Sequence, residues 1–154
     1  MNSKTSKSKL NQMDFIPIIL KIFLNKGVEE VSLPELTECV AELEKLSLVS
    51  YHFPEGLFYS YELFDDLKIL EYKGCIQRYE YTHDSFLPKT YYKLTMLGQG
   101  VGKRLLDILS EEMKRTVEDA VALSITNNNR RWRLVSRKHI GVAASSYDLQ
   151  LRKR

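Results

Sequence analysis

Three stretches of helical periodicity, each closed by its own stop signal, precede two β-rich runs, and that order constrains the fold of this chain more than any other feature. Phe15, Ile18, Ile19, Ile22 and Phe23 recur at helical spacing; Asp14 is placed to cap them, Pro17 falls in the tolerated opening turn and Gly27 closes the segment. Ser32-Leu33-Pro34-Glu35 carries the S-x-x-E pattern, in which hydroxyl and carboxylate satisfy each other's backbone amides at a helix start. Leu33, Leu36, Val40, Leu43 and Leu46 then form the apolar face of a second helix. Residues 48–59, with Pro54 and Gly56, predict a turn or a short extended piece. Ser60 opens a third helix through Leu63, Phe64, Leu67 and Leu70, and Gly74 ends it. Residues 75–82 and 91–95, rich in Tyr, Ile and Thr, read as two strands joined by a loop over 83–88.

Beyond the hairpin, Leu105, Ile108, Leu109, Met113, Val117, Ala120 and Val121 predict one long last helix of about six turns. Asn127-Asn128-Asn129 should end it, because three short amides compete for the helix backbone. The preceding Gly98-Gln99-Gly100-Val101-Gly102-Lys103 invites a phosphate-loop reading. It is one residue short of G-x-x-x-x-G-K-[ST], however, and Arg104 replaces the hydroxyl that would hold magnesium. A pliable lead-in to the last helix is the expectation.

The 154 residues, 44% hydrophobic and 28% charged, suffice for one compact domain without a disulfide or metal staple. Cys39 and Cys75 are expected as buried free thiols rather than a bridge. No apolar run approaches a membrane span, and the lysines of the first 13 residues precede no secretory core, so a cytoplasmic protein with no membrane contact is expected. The organisation reads as a disordered basic arm over 1–13, a domain over 14–126 that includes the last helix, and a basic tail over 127–154 that could dock on the body.

Charge is unevenly placed. Residues 1–12 carry +3, residues 127–154 carry +7, and the body between carries −7. Basic ends on an acidic body suit contact with a polyanion, with an acidic partner or with the body itself.

The segment from Ser60 to Ile76, followed by Tyr91-Tyr92-Lys93-Leu94-Thr95-Met96-Leu97-Gly98, resembles small bacterial winged helix-turn-helix proteins. In these, a helix of the form S-x-x-L-x-x-D-L-x-x-L-x-x-x-G-x-I precedes a wing ending in Y-x-L-T-x-x-G. The resemblance is to regulator-like and antitoxin-associated members within the broader MarR-like and PadR-like superfamily, and it covers roughly residues 14–124. It implies a mainly α (α+β) fold: a winged helix-turn-helix with a two-stranded wing, a long C-terminal helix and a basic tail. It also implies pairing of two copies through terminal helices, for which Leu105, Leu109, Met113 and Val117 are the expected dimer contacts; the same residues could instead cover the first helix within one chain.

DNA-reading relatives need Arg, Lys, Asn or Gln on the third helix. Here the second and third helices carry Glu38, Glu42, Glu62, Asp65 and Asp66, and residues 29–74 hold eleven acids against Lys45, Lys68 and Lys73. Such a face repels phosphates; it is either solvated surface or a docking site for a protein partner such as the target of an antitoxin, inhibitor or adaptor. DNA contact is therefore expected through the wing residues Arg78, Lys89 and Lys93 and through Arg130, Arg131, Trp132, Arg133, Arg137 and Lys138 of the tail. The alternatives are a purely structural hairpin and a Trp132 that anchors the tail in the core. The three histidines are scattered, no C-x-x-C, H-E-x-x-H or G-x-S-x-G occurs, and adjacent carboxylates point to different sides of a helix. No catalytic residues, metal or cofactor are expected; a regulator or an interaction module is.

Overall fold

The computed structural model describes residues 10–54, 60–82 and 89–138, with the side chains of 129–138 excepted. Among the described residues, five α-helices and three strands follow one another: α1 (Phe15–Asn25), β1 (Val31–Ser32), α2 (Leu33–Lys45), α3 (Tyr61–Tyr72), β2 (Ile76–Tyr81), β3 (Lys89–Leu94), α4 (Met96–Ile108) and α5 (Glu111–Lys138). The strands form one antiparallel sheet in the order β1-β3-β2. β2 and β3 pair from Ile76 opposite Leu94 to Tyr81 opposite Lys89, and β1 adds Val31 opposite Tyr92. The expected hairpin is thus present, extended by a third strand too short to show in the sequence pattern; its loop, 83–88, lies outside the described residues.

α1 is the centre of the domain. Phe15 through Leu20, with Ile22 and Phe23, are all buried, so the helix is enclosed rather than one-sided, with α4, α5 and β3 packed around it. Asp14 does not cap α1 through its side chain as expected. A 3-10 turn precedes the helix, and the Asp14 carboxylate accepts the Asn11 amide at 3.0 Å. The Ser32–Glu35 capping box forms as read. Ser32 Oγ accepts from Glu35 N at 3.2 Å, and Glu35 Oε1 accepts from Ser32 N at 3.1 Å. Glu35 is fully buried in doing so and contributes nothing to the acidic surface. Ser60 caps α3 through the Leu63 amide, and Gly74, in the left-handed region at φ 80°, turns the chain from α3 into β2.

The single long last helix is corrected to two. Leu109 is extended (ψ 146°) between α4 and α5, and Ser110 starts α5 by accepting from Met113 N at 3.1 Å. The expected stop at 127–129 is also corrected: α5 continues to Lys138. Asn128 is buried within that helix. The first part of the supposed tail is therefore helix, and residues 139–154 lie outside the described residues.

Cys39 and Cys75 are buried and unbridged. Burial, followed by the charges of Glu38, Glu42 and Glu35, pushes the Cys39 thiol far above its ordinary range. Iodoacetamide at pH 8 is expected to leave Cys39 of the native chain unmodified and to alkylate it fully in denaturant, as read by intact mass.

Candidate interaction surfaces

The side chains expected at a dimer contact are used within one chain. Leu109 and Val117 are buried, and Leu105 and Met113 pack half-buried against the same core. Within one chain the same stripe is the inner face of α4 and α5 over α1 and α2, the alternative the sequence left open. Ser124, one turn past Val121, donates to the Glu35 carbonyl at 3.0 Å and ties α5 to the start of α2.

The hairpin cations face acids of their own chain. Arg78 Nη1 lies 2.7 Å from Glu80 and its Nε 3.7 Å from Glu71. Lys93 Nζ lies 3.2 Å from Glu29. Lys89 is exposed at the start of β3. Arg78 and Lys93, expected from the sequence to contact phosphate, thus already sit in ion pairs. Arg130, Arg131, Trp132, Arg133, Arg137 and Lys138 lie on the α5 backbone, and their side chains are outside the described residues.

Most of the acidic candidates are also engaged, in a way that builds the surface of α3. Residues 50–52, after α2, are tied to α3 and its cap by hydrogen bonds. Tyr51, fully buried, donates its hydroxyl to Asp66 at 2.6 Å, and Ser60 Oγ donates to the Tyr51 carbonyl. Glu44 accepts the Tyr51 amide at 3.3 Å, and Gln12 accepts the Ser50 amide at 2.8 Å. Burial first, then the bond to Asp66, pushes the Tyr51 phenol well above its ordinary range, so it is a permanent donor. Tyr51→Phe removes the donor from a half-buried carboxylate. The expected loss is about 1.5 kcal/mol, the lower end for a hydrogen bond to a charged group, measured by urea denaturation.

His52 Nδ1 lies 2.8 Å from Glu62 at the exposed edge of α3. The hydrogen bond and charge of Glu62 raise the His52 pKa above 6.5, with Glu44 adding to the shift. Because the folded value is the higher one, the stabilisation is complete below about pH 6.5 and disappears as pH rises through the raised value. His52→Ala is expected to remove that component of the pH–stability profile and leave the alkaline limb unchanged. Glu42 lies 3.6 Å from Lys45, and Glu38 accepts from Ser124 at 3.4 Å. Asp65 is exposed on the outer side of α3.

That outer side carries what the sequence reading passed over. Leu63, Leu67 and Leu70 point into the core, while Tyr61, Asp65, Ile69 and Tyr72 recur at three- and four-residue spacing on the opposite face. Tyr72 is 93% exposed, Tyr61 74% and Ile69 42%. At the start of α4, Met96 and Leu97 are also exposed. Thr95 joins the two helices: its hydroxyl donates to the Gly74 carbonyl at 2.6 Å and its amide to the Cys75 carbonyl at 3.0 Å. The sequence signal was present as apolar residues at 69 and 72 that fall outside the buried stripe at 63, 67 and 70.

Among the described residues, no group of three or more His, Cys, Asp or Glu side chains is placed to hold a metal ion, and no helix is long and apolar enough to cross a membrane. Comparison with protein-family models, curated proteins and solved structures finds no match to this chain.

Proposed function

We propose that this chain is a non-enzymatic winged-helix interaction module that grips another protein through the outer face of α3. The order of three helices and a hairpin, with β1 closing a small sheet beside them, supports the winged-helix reading. The observation that carries the function is the composition of that face. Tyr61, Asp65, Ile69 and Tyr72 stand where a major-groove reader carries Arg, Lys, Asn or Gln. Exposed aromatic side chains on a rigid helix supply the anchors typical of protein interfaces, and the carboxylates beside them repel phosphate. The module acts as an adaptor, inhibitor or antitoxin would, by occupying a partner.

The test is photo-crosslinking in cells from benzoylphenylalanine placed at Tyr72, with Glu118 on the exposed side of α5 as the control position. A protease-sensitive, nuclease-resistant adduct at position 72 and none at 118 is the expected result. A nuclease-sensitive adduct at 72, or equal protein adducts at both positions, would overturn the reading.

A second reading is favoured by one observation: α5 continues through the basic run to Lys138, so Arg130, Arg131 and Arg133 lie on regular helical backbone. Contact with DNA would then use this helical extension together with the wing. If it does, replacing those three arginines by alanine flattens the slope of log K against log salt by about 2.7, at ~0.9 per phosphate contact, in fluorescence anisotropy on duplex DNA. An unchanged slope excludes these residues from the contact.

A further inference from the structure

We propose that the segment docked on this face is a cationic amphipathic helix of a partner protein, its apolar side chains seated on Ile69, Tyr72, Met96 and Leu97 and its basic side chains beside Asp65. The inference rests on the reading of α3 as protein-facing and adds the partner's chemistry.

The site is graded along its length. The N-terminal half of α3 carries Glu62, hydrogen-bonded to His52, and Asp65, and both are exposed. The last turn carries Ile69 and Tyr72, and Met96 follows at 89% exposure across the Thr95–Gly74 hydrogen bond. From Glu62 to Tyr72 is about 15 Å along the helix axis, which three turns of a partner helix would span.

His52 Nδ1, 2.8 Å from Glu62, offsets that carboxylate, and Asp65 is the outward charge of the acidic end. Lys68 lies over the Phe64 ring, 5.2 Å from its centroid. Arg78 lies between Glu71 and Glu80, and Lys45 against Glu42. Lys73 stands at the C-cap of α3, where the helix carbonyls offset its charge. What the surface offers outward is the Asp65 carboxylate at one end and bare aliphatic and aromatic carbon at the other. Basic side chains supply the complement and steer the approach, while the apolar ridge supplies the burial.

Two synthetic 18-residue peptides with the same leucine positions, one with lysine and one with glutamate at every polar position, test this against the full chain by fluorescence anisotropy at 0.15 M salt. The Leu/Lys peptide is expected to bind at least tenfold more tightly than the Leu/Glu peptide. The double variant Ile69→Ser, Tyr72→Ser should weaken it at least tenfold, and Asp65→Lys at least fivefold; all three positions are exposed, so the variants keep the fold. Equal binding of the two peptides overturns the assigned chemistry. Leu/Lys binding that ignores the three substitutions overturns the assigned place. If replacing Arg152, Lys153 and Arg154 by glutamate raises the affinity severalfold, the chain's own basic end occupies the face and an external helix is not its normal occupant. Each of these failures leaves the crosslink at position 72 as an independent measure of whether α3 faces a protein at all.

Discussion

Gly98→Val is expected to unfold the domain, Gly98→Ala to cost about 2 kcal/mol, and Gly100→Ala, two residues on, to stabilise it by up to about 1 kcal/mol. The three values come from one local competition. Alanine is intrinsically better than glycine in a helix interior by about 1 kcal/mol, so both positions of α4 carry the same latent gain. At Gly100 nothing opposes it, since an added Cβ would find only the Arg104 guanidinium at 3.9 Å. At Gly98 the same Cβ would stand 1.9 Å from the Cys75 carbonyl oxygen and 3.0 Å from Leu94 Cδ2. The oxygen is backbone and already accepts from the Thr95 amide, so relief requires moving α4 away from the turn between α3 and β2. Overpacking of this kind costs about 3 kcal/mol at the upper end of its usual range, which leaves a net loss of about 2 for alanine. Valine adds two further methyl groups at the same contact and exceeds what a marginally stable domain can absorb. Urea denaturation of the three variants checks the order. Equal effects at 98 and 100 would mean that α4 does not rest on the Cys75 carbonyl.

The same glycines show where the sequence was legible and where it was not. The starts of α2 and α3 were legible, because Ser32, Glu35 and Ser60 form their caps with groups three residues away and need no tertiary partner. The role of the Gly98–Gly102 run was misread as pliability. Its cause is a contact with Cys75 at one end and with the Pro17 carbonyl, 2.9 Å from a Cβ at Gly102, at the other, and neither is local in sequence. The break at Leu109 was hidden because its side chain turns into the core and so preserves the apolar period across two helices. β1 was invisible because two residues carry no alternation and exist as a strand only by pairing with Tyr91 and Tyr92. The acidic character of the second and third helices was plain in composition. Which acids face outward was not, since Glu35 is consumed by its own cap and Asp66 by Tyr51, a residue 15 positions earlier. The exposed ridge at Ile69 and Tyr72 escaped because periodicity analysis selects the stripe that is buried.

Val117→Asp should abolish folding of α5 onto the body, whereas Leu123→Asp, six residues along the same helix, should change stability by no more than about 0.5 kcal/mol. Val117 is fully buried where α5 crosses α2 and α1; Leu123 is 47% exposed. Loss of the buried valine removes about 1.5–3 kcal/mol of transfer energy. A carboxylate placed there must either remain charged without a partner or take up a proton, and the penalty is several kcal/mol more. Together they consume most of the ~5–15 kcal/mol that holds a domain of this size. At the half-exposed Leu123 the carboxylate stays in water, and the change falls within the range of ordinary surface substitutions. The pair also separates the two uses of the stripe formed by Leu105, Leu109, Met113 and Val117. If it were a seam between copies, the wild-type melting temperature would rise with protein concentration and Val117→Asp would give a folded monomer. With the stripe closed inside one chain, the melting temperature is independent of concentration and the variant loses amide protection along α5 at every concentration. A folded, monomeric Val117→Asp protein with α5 amides still protected would show that the helix is held by something other than its contact with α2.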